Sequence, residues 1–332
     1  MGHVAVLGAG AWGTALARQL AERGERVLLW SHQADHARAL REQRENVAFF
    51  AGYTLGDAIE PEHDIGRVLQ GARSVLVVVP TPAVRATLQA AKPALASDAV
   101  IVLASKGIET DSLMLLTEVV GDVLGSEFEQ RAVALSGPSF AEEVARGLPT
   151  NLVAASRDAE SPRAVQRLLS SERLRVYTSS DPVGVQVGGA LKNVMAIAAG
   201  ASDGLGFGHN TRAALITRGL AEMARLAAAK GGEPTTLSGL SGLGDLVLTA
   251  TGALSRNRTL GFELARGRSL AEVLTSLGHV AEGVTTAKSA HDLALRLQVD
   301  LPISTQVYRV LYENKPVYDA VEELLHRLPG KE

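Results

Sequence analysis

The 332-residue chain contains no cysteine, which excludes disulfide bonds, thiolate catalysis and cysteine-ligated zinc. It also lacks a strong excess of either charge, because 33 lysine and arginine residues are balanced by 36 aspartate and glutamate residues. The resulting formal net charge of −3 argues against a general affinity for nucleic acid or for an anionic membrane surface. Any anion-binding site is therefore expected to be local.

Long apolar runs and the common hydrolase motifs are missing as well. We expect no stretch long enough to span a bilayer, and a predicted strand at the very start leaves no room for a signal peptide. No HExxH, GxSxG or P-loop pattern occurs, so zinc, serine and nucleotide hydrolysis have no support. His209, His279 and His291 lack partners at metal-ligand spacing. These absences predict a cytoplasmic protein with no metal and no stable membrane insertion.

A glycine-rich turn, GAGAWG at residues 8–13, follows an apolar run at residues 3–7 and opens a helical pattern. Gly8 permits the tight turn, Gly10 lets the backbone approach a pyrophosphate, and Gly13 lets the helix pack closely on the strand. The free N–H groups of the helix start then face the phosphates. A purely structural glycine turn is the alternative, but the strand before it and the helix after it favour dinucleotide binding. The predicted cofactor contacts in this turn are Gly8, Gly10, Ala11, Trp12 and Gly13.

The end of the second strand, residues 26–31, bears on the choice of cofactor. Folds that prefer NAD usually carry an acidic residue there to bind the ribose hydroxyls. This chain has Ser31 and His32, and a hydroxyl with a cation suits the extra phosphate of NADP, whereas the nearby Asp35 keeps NAD open. A solvated helix start is the remaining alternative. The predicted cofactor is therefore NADP(H) or NAD(H).

Further apolar runs predict strands at residues 74–79, 99–104 and 132–136, with weaker strands at 150–155 and 174–178 and helices between them. Near-continuous apolar strands are typical of a parallel sheet that is buried on both faces. Ligands bind at the carboxyl ends of such strands, where Lys106 and Gly137 are expected to lie. Residues 43–65 are irregular and receive no assignment. This half of the chain predicts an α/β fold with a Rossmann-type, doubly wound sheet.

From about Pro182 the strand runs give way to alanine, leucine and glycine at helical spacing. Helices are predicted at residues 185–200, 211–230, 237–250, 255–265, 270–277, 285–297, 304–312 and 317–328. We therefore predict two domains, a dinucleotide-binding domain over residues 1–185 and an all-helical substrate-binding and catalytic domain over residues 186–332.

Lys192 is the least expected residue of the helical half, because nearly all its neighbours along the chain are small or apolar. Such a lysine either snorkels to the surface or is buried for a purpose. Burial lowers a lysine pKa from about 10.4 towards neutrality, which would make the side chain usable as an acid or base. Asn193, the next residue, could donate or accept a hydrogen bond at the same site.

Two more groups in this half could carry chemistry. Asp245 and Thr249 are spaced i, i+4 and would share one face of a helix, although Asp245 could equally serve only as a helix cap. Ser255-Arg256-Asn257 looks like a helix start, where free N–H groups and an arginine fork would suit a phosphate monoester. A plain capped helix with solvated arginines is the alternative there.

Taken in order, eight motifs resemble the bacterial NAD(P)-dependent glycerol-3-phosphate dehydrogenases over nearly the whole chain. They are GAGAWGT at 8–14, PTP at 80–82, SKGIE at 105–109, SGPSFA at 136–141, LKN at 191–193, GLGD at 242–245, SRN at 255–257 and VAEG at 280–283. The resemblance implies a Rossmann domain with a 6-phosphogluconate-dehydrogenase-like helical domain, and a homodimer. It also implies interconversion of dihydroxyacetone phosphate and sn-glycerol 3-phosphate, run as reduction to supply phospholipid synthesis.

The resemblance also implies roles for individual residues. Lys192 matches the proton donor and acceptor, and Lys106 matches a lysine that touches both substrate and cofactor. The implied substrate contacts, with two neighbours added from the residue patterns, are Lys106, Gly137, Ser139, Lys192, Asn193, Asp245, Thr249, Ser255, Arg256 and Asn257. The implied cofactor contacts beyond the glycine turn are His32, Lys106, Ala141, Arg256, Val280 and Glu282, and the residue pattern at the end of the second strand adds Ser31. Lys192, Lys106 and Asp245 are the predicted catalytic residues.

Two other functions fit parts of the same pattern. A dehydrogenase of a small hydroxyacid could share the two-domain plan, and a regulatory protein could sense NADP without turning it over. Retention of both lysines and Asp245 disfavours a sensor, which needs no proton donor. Family members often carry an arginine just after the second strand, where this chain has His32 and Gln33, so the preference between NADP and NAD stays open.

Overall fold

The computed structural model describes residues 2–278 and 281–326. The chain divides into two compact units, the first comprising Met1–Lys106 and Leu116–Pro182, the second Gly107–Leu115 and Val183–Glu332. The predicted division at 185/186 thus falls inside the second unit, and it did not foresee the short excursion of Gly107–Leu115. The helix that follows this excursion begins only at Leu116. The apolar side chains just before it, at Ile108, Leu113 and Leu115, pack in the core of the second unit.

Ten strands belong to the first unit. They are β1 (Val4–Leu7), β2 (Val27–Trp30), β3 (Glu45–Asn46), β4 (Ala51–Thr54), β5 (Ile59–Glu62), β6 (Ser74–Val77), β7 (Val100–Leu103), β8 (Val133–Ser136), β9 (Thr150–Ala155) and β10 (Leu174–Ser179). Eight of them form one sheet in the order β10-β9-β8-β7-β6-β1-β2-β5, while β3 and β4 pair separately. The chain runs outward from β1 in both directions, so the sheet is doubly wound with its switch point between β1 and β6.

The sheet differs from the prediction at its two edges. Strand β5, which pairs in parallel with β2, lies in the segment that received no assignment. It contains Pro61, and proline lowers strand signals because it is tolerated only at edges, where β5 indeed lies. At the other edge, β9 runs antiparallel to β8, and β10 runs parallel to β9. Burial on both faces predicts a parallel sheet in general and carries no information about one reversed connection.

Helices of the first unit cover the sheet. They are α1 (Ala11–Glu22), α2 (Ala34–Gln43), α3 (Val47–Phe50), α4 (Ile65–Leu69), α5 (Val84–Ala91), α6 (Leu116–Leu124), α7 (Ser126–Arg131), α8 (Ala141–Ala145) and α9 (Glu160–Leu169). The central strands are buried except at a few end residues such as Ser74 and Val100, as the apolar runs predicted, and Val6, Leu29 and Leu76 are fully buried. Because β1 is buried on both faces, its position in the sheet is fixed, and so is the position of the glycine turn that follows it.

The second unit is helical over the residues that the structure describes. Its helices are α10 (Pro182–Gly204), α11 (His209–Ala229), α12 (Asp245–Thr251), α13 (Arg256–Ala265), α14 (Leu270–Leu277), α15 (Glu282–Leu297), α16 (Pro302–Tyr312) and α17 (Val317–Leu325). Contrary to expectation, α10 has the length and mean hydropathy of a membrane span. Because 94% of its most apolar window is buried inside the protein, it is the central helix of this core.

Glycines let α13 cross α10 at very short range. A Cβ atom added to Gly261 would lie 1.9 Å from the Ile197 carbonyl oxygen, and one added to Gly200 would lie 1.9 Å from the Arg258 carbonyl oxygen. Both neighbours are backbone atoms, so no side-chain rotation could relieve the overlap. The two helices can therefore pack this closely only with glycine at both positions.

Candidate active site

The glycine turn after β1 has the geometry that its sequence predicts. Gly8 has φ +126°, and a Cβ there would lie 2.8 Å from the backbone of Val78, the residue after β6. A Cβ on Gly13 would lie 1.8 Å from the Gly8 carbonyl oxygen, so α1 starts directly against the strand. A Cβ on Gly10 would meet nothing within 4 Å. The backbone at Gly10 is thus open to close approach by another molecule.

Trp12, in the first turn of α1, carries a second feature that fits a bound dinucleotide. Its indole Nε1 is buried and has no hydrogen-bond partner within the part of the chain described. Buried polar groups in proteins are nearly always paired, so an orphaned donor beside an open backbone cradle indicates a place for a polar ligand. The residues of this turn therefore fit a dinucleotide cofactor.

Ser31, at the end of β2, is buried and belongs to a chain of hydrogen bonds. Its Oγ lies 3.0 Å from His36 Nδ1, and His36 Nε2 lies 3.1 Å from Asn46 Oδ1. The amide nitrogen of Asn46 donates to the Ala9 carbonyl at 2.8 Å. These hydrogen bonds therefore connect the end of β2 to the glycine turn. His32, the residue after Ser31, is exposed.

The ends of β7 and β8 bring three predicted substrate residues together. Lys106 Nζ donates to the Gly137 carbonyl at 3.1 Å, and Ser139 Oγ donates to the same carbonyl at 3.0 Å. Gly137 has φ +133°, and a Cβ there would meet the Asn151 carbonyl oxygen at 2.9 Å. Ala141 follows as the first residue of α8.

Lys192 does not reach the surface, since only 8% of the residue is exposed. Its Nζ forms an ion pair with Asp245 Oδ1 and donates to Thr249 Oγ1 at 3.0 Å. Asp245 is fully buried, and the Thr249 hydroxyl donates in turn to the Asp245 backbone carbonyl at 2.7 Å. The i, i+4 spacing on α12 thus presents a carboxylate and a hydroxyl to one buried ammonium.

A tight backbone approach places Asp245 opposite Lys192. The π-helical turn Leu240–Gly244 leads directly into α12. One turn before Lys192 on α10, a Cβ on Gly188 would lie 2.4 Å from the Ser241 carbonyl oxygen. Glycine at 188 therefore lets this turn pack on α10, and such irregular turns are frequent at functional sites.

Asn193 and Asn257 form a second polar group beside the ion pair. Asn257 Nδ2 donates to Asn193 Oδ1 at 3.0 Å, and the Gly283 backbone N–H donates to Asn257 Oδ1 at 3.0 Å. Asn193 Nδ2 in turn lies 3.5 Å from Glu282 Oε2, at the start of α15. The structure thus joins three predicted contact residues in one network, while Val280, also a predicted contact, lies outside the described residues.

Helix α13 begins at Arg256, where the sequence predicts a helix start. Ser255 is the N-cap, and its Oγ accepts the Arg258 backbone N–H at 3.2 Å. Arg256 follows with an exposed side chain, which is available to an anion. Arg258 donates two hydrogen bonds to Asp203 Oδ2, at 2.9 and 2.7 Å, and Arg212 binds the other oxygen of the same carboxylate. Asp203 therefore ties the first turns of α13 and α11 to the end of α10.

Sequence reasoning missed His36, Asn46 and Asp203. Asn46 is fully buried in the segment without an assignment, where no periodicity marks one residue from the next. Asp203 sits among small residues near the end of a helix and resembles a solvated C-terminal residue. Only the position of a buried polar residue close to a glycine-rich turn could have suggested a role for either.

No group of three or more histidine, cysteine, aspartate or glutamate side chains within residues 2–278 and 281–326 is arranged to hold a metal ion. His279 lies outside those residues. His291 stacks on Tyr308 with ring centroids 4.0 Å apart, and burial lowers its pKa.

Known proteins resemble this chain over nearly its whole length. The family of NAD-dependent glycerol-3-phosphate dehydrogenases matches with its N-terminal domain at residues 3–161 and its C-terminal domain at residues 181–322. The glycerol-3-phosphate dehydrogenase [NAD(P)+] of Syntrophotalea carbinolica is 50% identical over 325 residues, with 98% of each chain covered. That of Geobacter metallireducens is 50% identical over 329 residues, covering 99% of this chain and 98% of its own.

A solved structure agrees with these matches. The glycerol-3-phosphate dehydrogenase of Coxiella burnetii superposes with a TM-score of 0.94 at 40% identity, covering 98% of this chain and 99% of its own. The glycine turn, the buried Lys192 and the capped start of α13 are thus set in a fold and a sequence shared with these relatives. This chain belongs to the NAD(P)-dependent glycerol-3-phosphate dehydrogenase family.

Proposed function

We propose that this enzyme catalyses the reversible, NAD(P)H-dependent reduction of dihydroxyacetone phosphate to sn-glycerol 3-phosphate, with Lys192 as its proton donor and acceptor. The product supplies the backbone of glycerophospholipids. The observation that carries the assignment of Lys192 is its burial together with Asp245 and Thr249. Burying a lysine and its carboxylate partner costs desolvation free energy, and buried charged groups of this kind are concentrated at functional sites. This supports a functional role for Lys192.

The cofactor contacts remain part of this proposal. In the first unit, the backbone of the glycine turn and the indole of Trp12 would hold the cofactor, with Ser31, His32, Lys106 and Ala141. In the second unit, the proposed cofactor contacts are Arg256, Val280 and Glu282. A bound dihydronicotinamide supplies the hydride for the reduction.

Reduction of a carbonyl group develops negative charge on its oxygen, and Lys192 is suited to that charge. Its ammonium group stabilises the developing alkoxide and transfers one proton from Nζ to the oxygen, which leaves a neutral amine. Asp245 and Thr249 hold Nζ from two directions, so the lysine needs little reorganisation during the transfer. We propose that Lys106 adds a second positive charge to the substrate contacts and that Asp245 orients Lys192.

The phosphate group of the substrate has a separate place in this proposal. The first turn of α13 offers the backbone N–H groups of Arg256 and Asn257, whereas that of Arg258 is capped by Ser255, and the exposed Arg256 offers a guanidinium fork. Binding the phosphate there contributes energy at a distance from the reacting carbon. Gly137, Ser139, Asn193, Ser255 and Asn257 are the remaining proposed substrate contacts.

Substrate profiling tests this proposal. The purified protein is expected to oxidise NADPH or NADH when dihydroxyacetone phosphate is added, and to do so far more slowly with dihydroxyacetone, which lacks the phosphate. Turnover of a small 2-keto or 3-keto acid, without turnover of dihydroxyacetone phosphate, would assign a different dehydrogenase reaction. Cofactor binding without turnover of any of these compounds would indicate a sensor.

We propose further that the enzyme works as a homodimer in the cytoplasm, where the reduced nicotinamide cofactors are found. The second unit carries exposed large apolar side chains, among them Leu295 and Tyr318, which contact with a second copy would remove from water. Light scattering coupled to gel filtration is expected to give twice the chain mass of 34.8 kDa. A mass equal to one chain would contradict the dimer without affecting the proposed reaction.

A further inference from the structure

Asn46 fixes the direction of the hydrogen bonds between the glycine turn and the end of β2. Its Nδ2 lies 2.8 Å from the Ala9 carbonyl and 2.7 Å from Thr14 Oγ1. A carbonyl can only accept, so the amide nitrogen has to face the turn and Oδ1 has to face His36. His36 Nε2, 3.1 Å from that oxygen, therefore carries a hydrogen and donates it.

Ser31 donates the next hydrogen bond in this series. With the hydrogen of a neutral imidazole on Nε2, Nδ1 is an acceptor, so Ser31 Oγ donates to it across 3.0 Å. The Gln33 backbone N–H approaches Ser31 Oγ at 3.4 Å from another side. Each hydrogen bond in this series is thus donated in the same direction, from Ser31 through His36 and Asn46 to Ala9.

We propose that His36 and Asn46 are positioning residues for the dinucleotide cofactor. Ala9 lies inside the glycine turn that is proposed to hold the pyrophosphate, and Ser31 ends the strand that is proposed to meet the adenosine ribose. The series of hydrogen bonds sets these two points relative to each other and directs the Ser31 hydroxyl hydrogen towards His36. This inference rests on the cofactor assignment made above.

The segment that carries Asn46 does not need the Asn46 side chain to stay in place. Phe50 is buried against Ala15 and Val144, and its ring stacks on Tyr53 with centroids 4.4 Å apart. Arg44 donates to the carbonyls of Gly56 and Ile59, at 2.7 and 3.1 Å. These contacts anchor the segment without the Asn46 side chain, so the hydrogen bonds of the Asn46 amide act on the glycine turn.

Direct binding of the cofactor in the absence of substrate is the main readout. The dissociation constants of NADPH and NADH are measured by fluorescence titration, next to kcat and the KM values for cofactor and dihydroxyacetone phosphate. Asn46→Ala leaves the Ala9 carbonyl without its partner and is expected to raise the cofactor Kd and KM by about tenfold. The KM for dihydroxyacetone phosphate and kcat are expected to stay within about twofold, because positioning residues act through the cofactor alone.

His36 provides variants that avoid a change in the buried segment. His36→Leu breaks both links and is expected to raise the cofactor Kd by about threefold to tenfold. His36→Gln keeps a donor towards Asn46 and is expected to recover part of that loss. His63→Ala is the matched control, because His63 follows β5 at the same edge of the sheet and its polar contacts go to Trp30 and Glu62.

The inference is wrong if the folded Asn46 and His36 variants bind both cofactors within about twofold of the wild type. It is also wrong if the KM for dihydroxyacetone phosphate rises as much as the cofactor Kd, because a general structural defect would do that. Failure of the wild-type enzyme to turn over dihydroxyacetone phosphate would instead overturn the proposed reaction. In that case a raised cofactor Kd in the variants would still support the positioning role.

Discussion

Replacing Gly261 by alanine is expected to force α13 away from α10. The new Cβ would lie 1.9 Å from the Ile197 carbonyl oxygen, and ordinary contact begins near 3.4 Å. The helices therefore have to separate by about 1.5 Å at this point, because the neighbouring atoms are backbone and cannot rotate aside. Such a shift also pulls Asn257, on the first turn of α13, away from Asn193 on α10.

The expected loss of stability follows from three contributions. Overpacking of a dense core costs about 1–3 kcal/mol, and a contact with backbone belongs at the upper end of that range. The hydrogen bonds that Asn257 makes to Asn193 and Gly283 contribute about 1 kcal/mol each. Alanine gains about 1 kcal/mol over glycine in helix propensity. The free energy of unfolding is therefore expected to fall by about 2–4 kcal/mol.

Urea denaturation at constant pH measures this change, and steady-state kinetics measure the accompanying rise in the KM for dihydroxyacetone phosphate. Gly219→Ala is the matched control: this glycine of α11 also faces α10, but its nearest neighbour is the Met195 sulfur at 2.8 Å. Methionine is flexible, so we expect the control to change stability by less than about 1 kcal/mol. Equal effects of the two substitutions, or none at Gly261, would refute this account of the helix crossing.

Two further predictions concern buried carboxylates. Asp203→Asn removes the charge that holds Arg212 and Arg258, and it should lower the free energy of unfolding by about 2 kcal/mol in the same denaturation assay. The control is Asp35→Asn, which breaks an exposed ion pair with Arg38 and should have almost no effect. Burial raises the pKa of Glu222 from 4.5 to about 7, against three hydrogen bonds from Ile303 and Ser304. A carboxyl group with a raised pKa contributes stability at low pH that is lost as the pH rises towards that pKa. The free energy of unfolding of the wild type, relative to that of Glu222→Gln, should therefore fall by about 3 kcal/mol between pH 4.5 and pH 7. A constant difference across that range would contradict the raised pKa of Glu222.

The sequence was sufficient for features that depend on local pattern. The glycine turn follows from three spaced glycines between a strand and a helix, and the structure gives each one the close approach or open space that its spacing implies. The i, i+4 spacing of Asp245 and Thr249 likewise placed both on one face of α12. The doubly wound sheet and the helical second half followed from strand length and helical periodicity.

Features that depend on contacts between distant segments were not predictable in the same way. The reversed direction of β9 depends on how one connection crosses the sheet edge, and periodicity is blind to strand direction. The sequence allows Lys192 to be either buried or exposed, and its burial depends on the distant turn whose Ser241 carbonyl packs on Gly188. Asn46 acts on Ala9, 37 residues away, through an amide that resembles any loop asparagine in the sequence.

The role of Lys192 is the central claim, and one variant tests it directly. Lys192→Met keeps a long side chain but removes the proton and the charge. We expect kcat to fall by about 10²–10⁴-fold or more, while the NADPH Kd stays within about twofold of the wild type. Lys288→Met, which removes a surface lysine paired with Asp292, is expected to leave both values unchanged. An unchanged kcat in Lys192→Met, with cofactor still bound, would contradict the account.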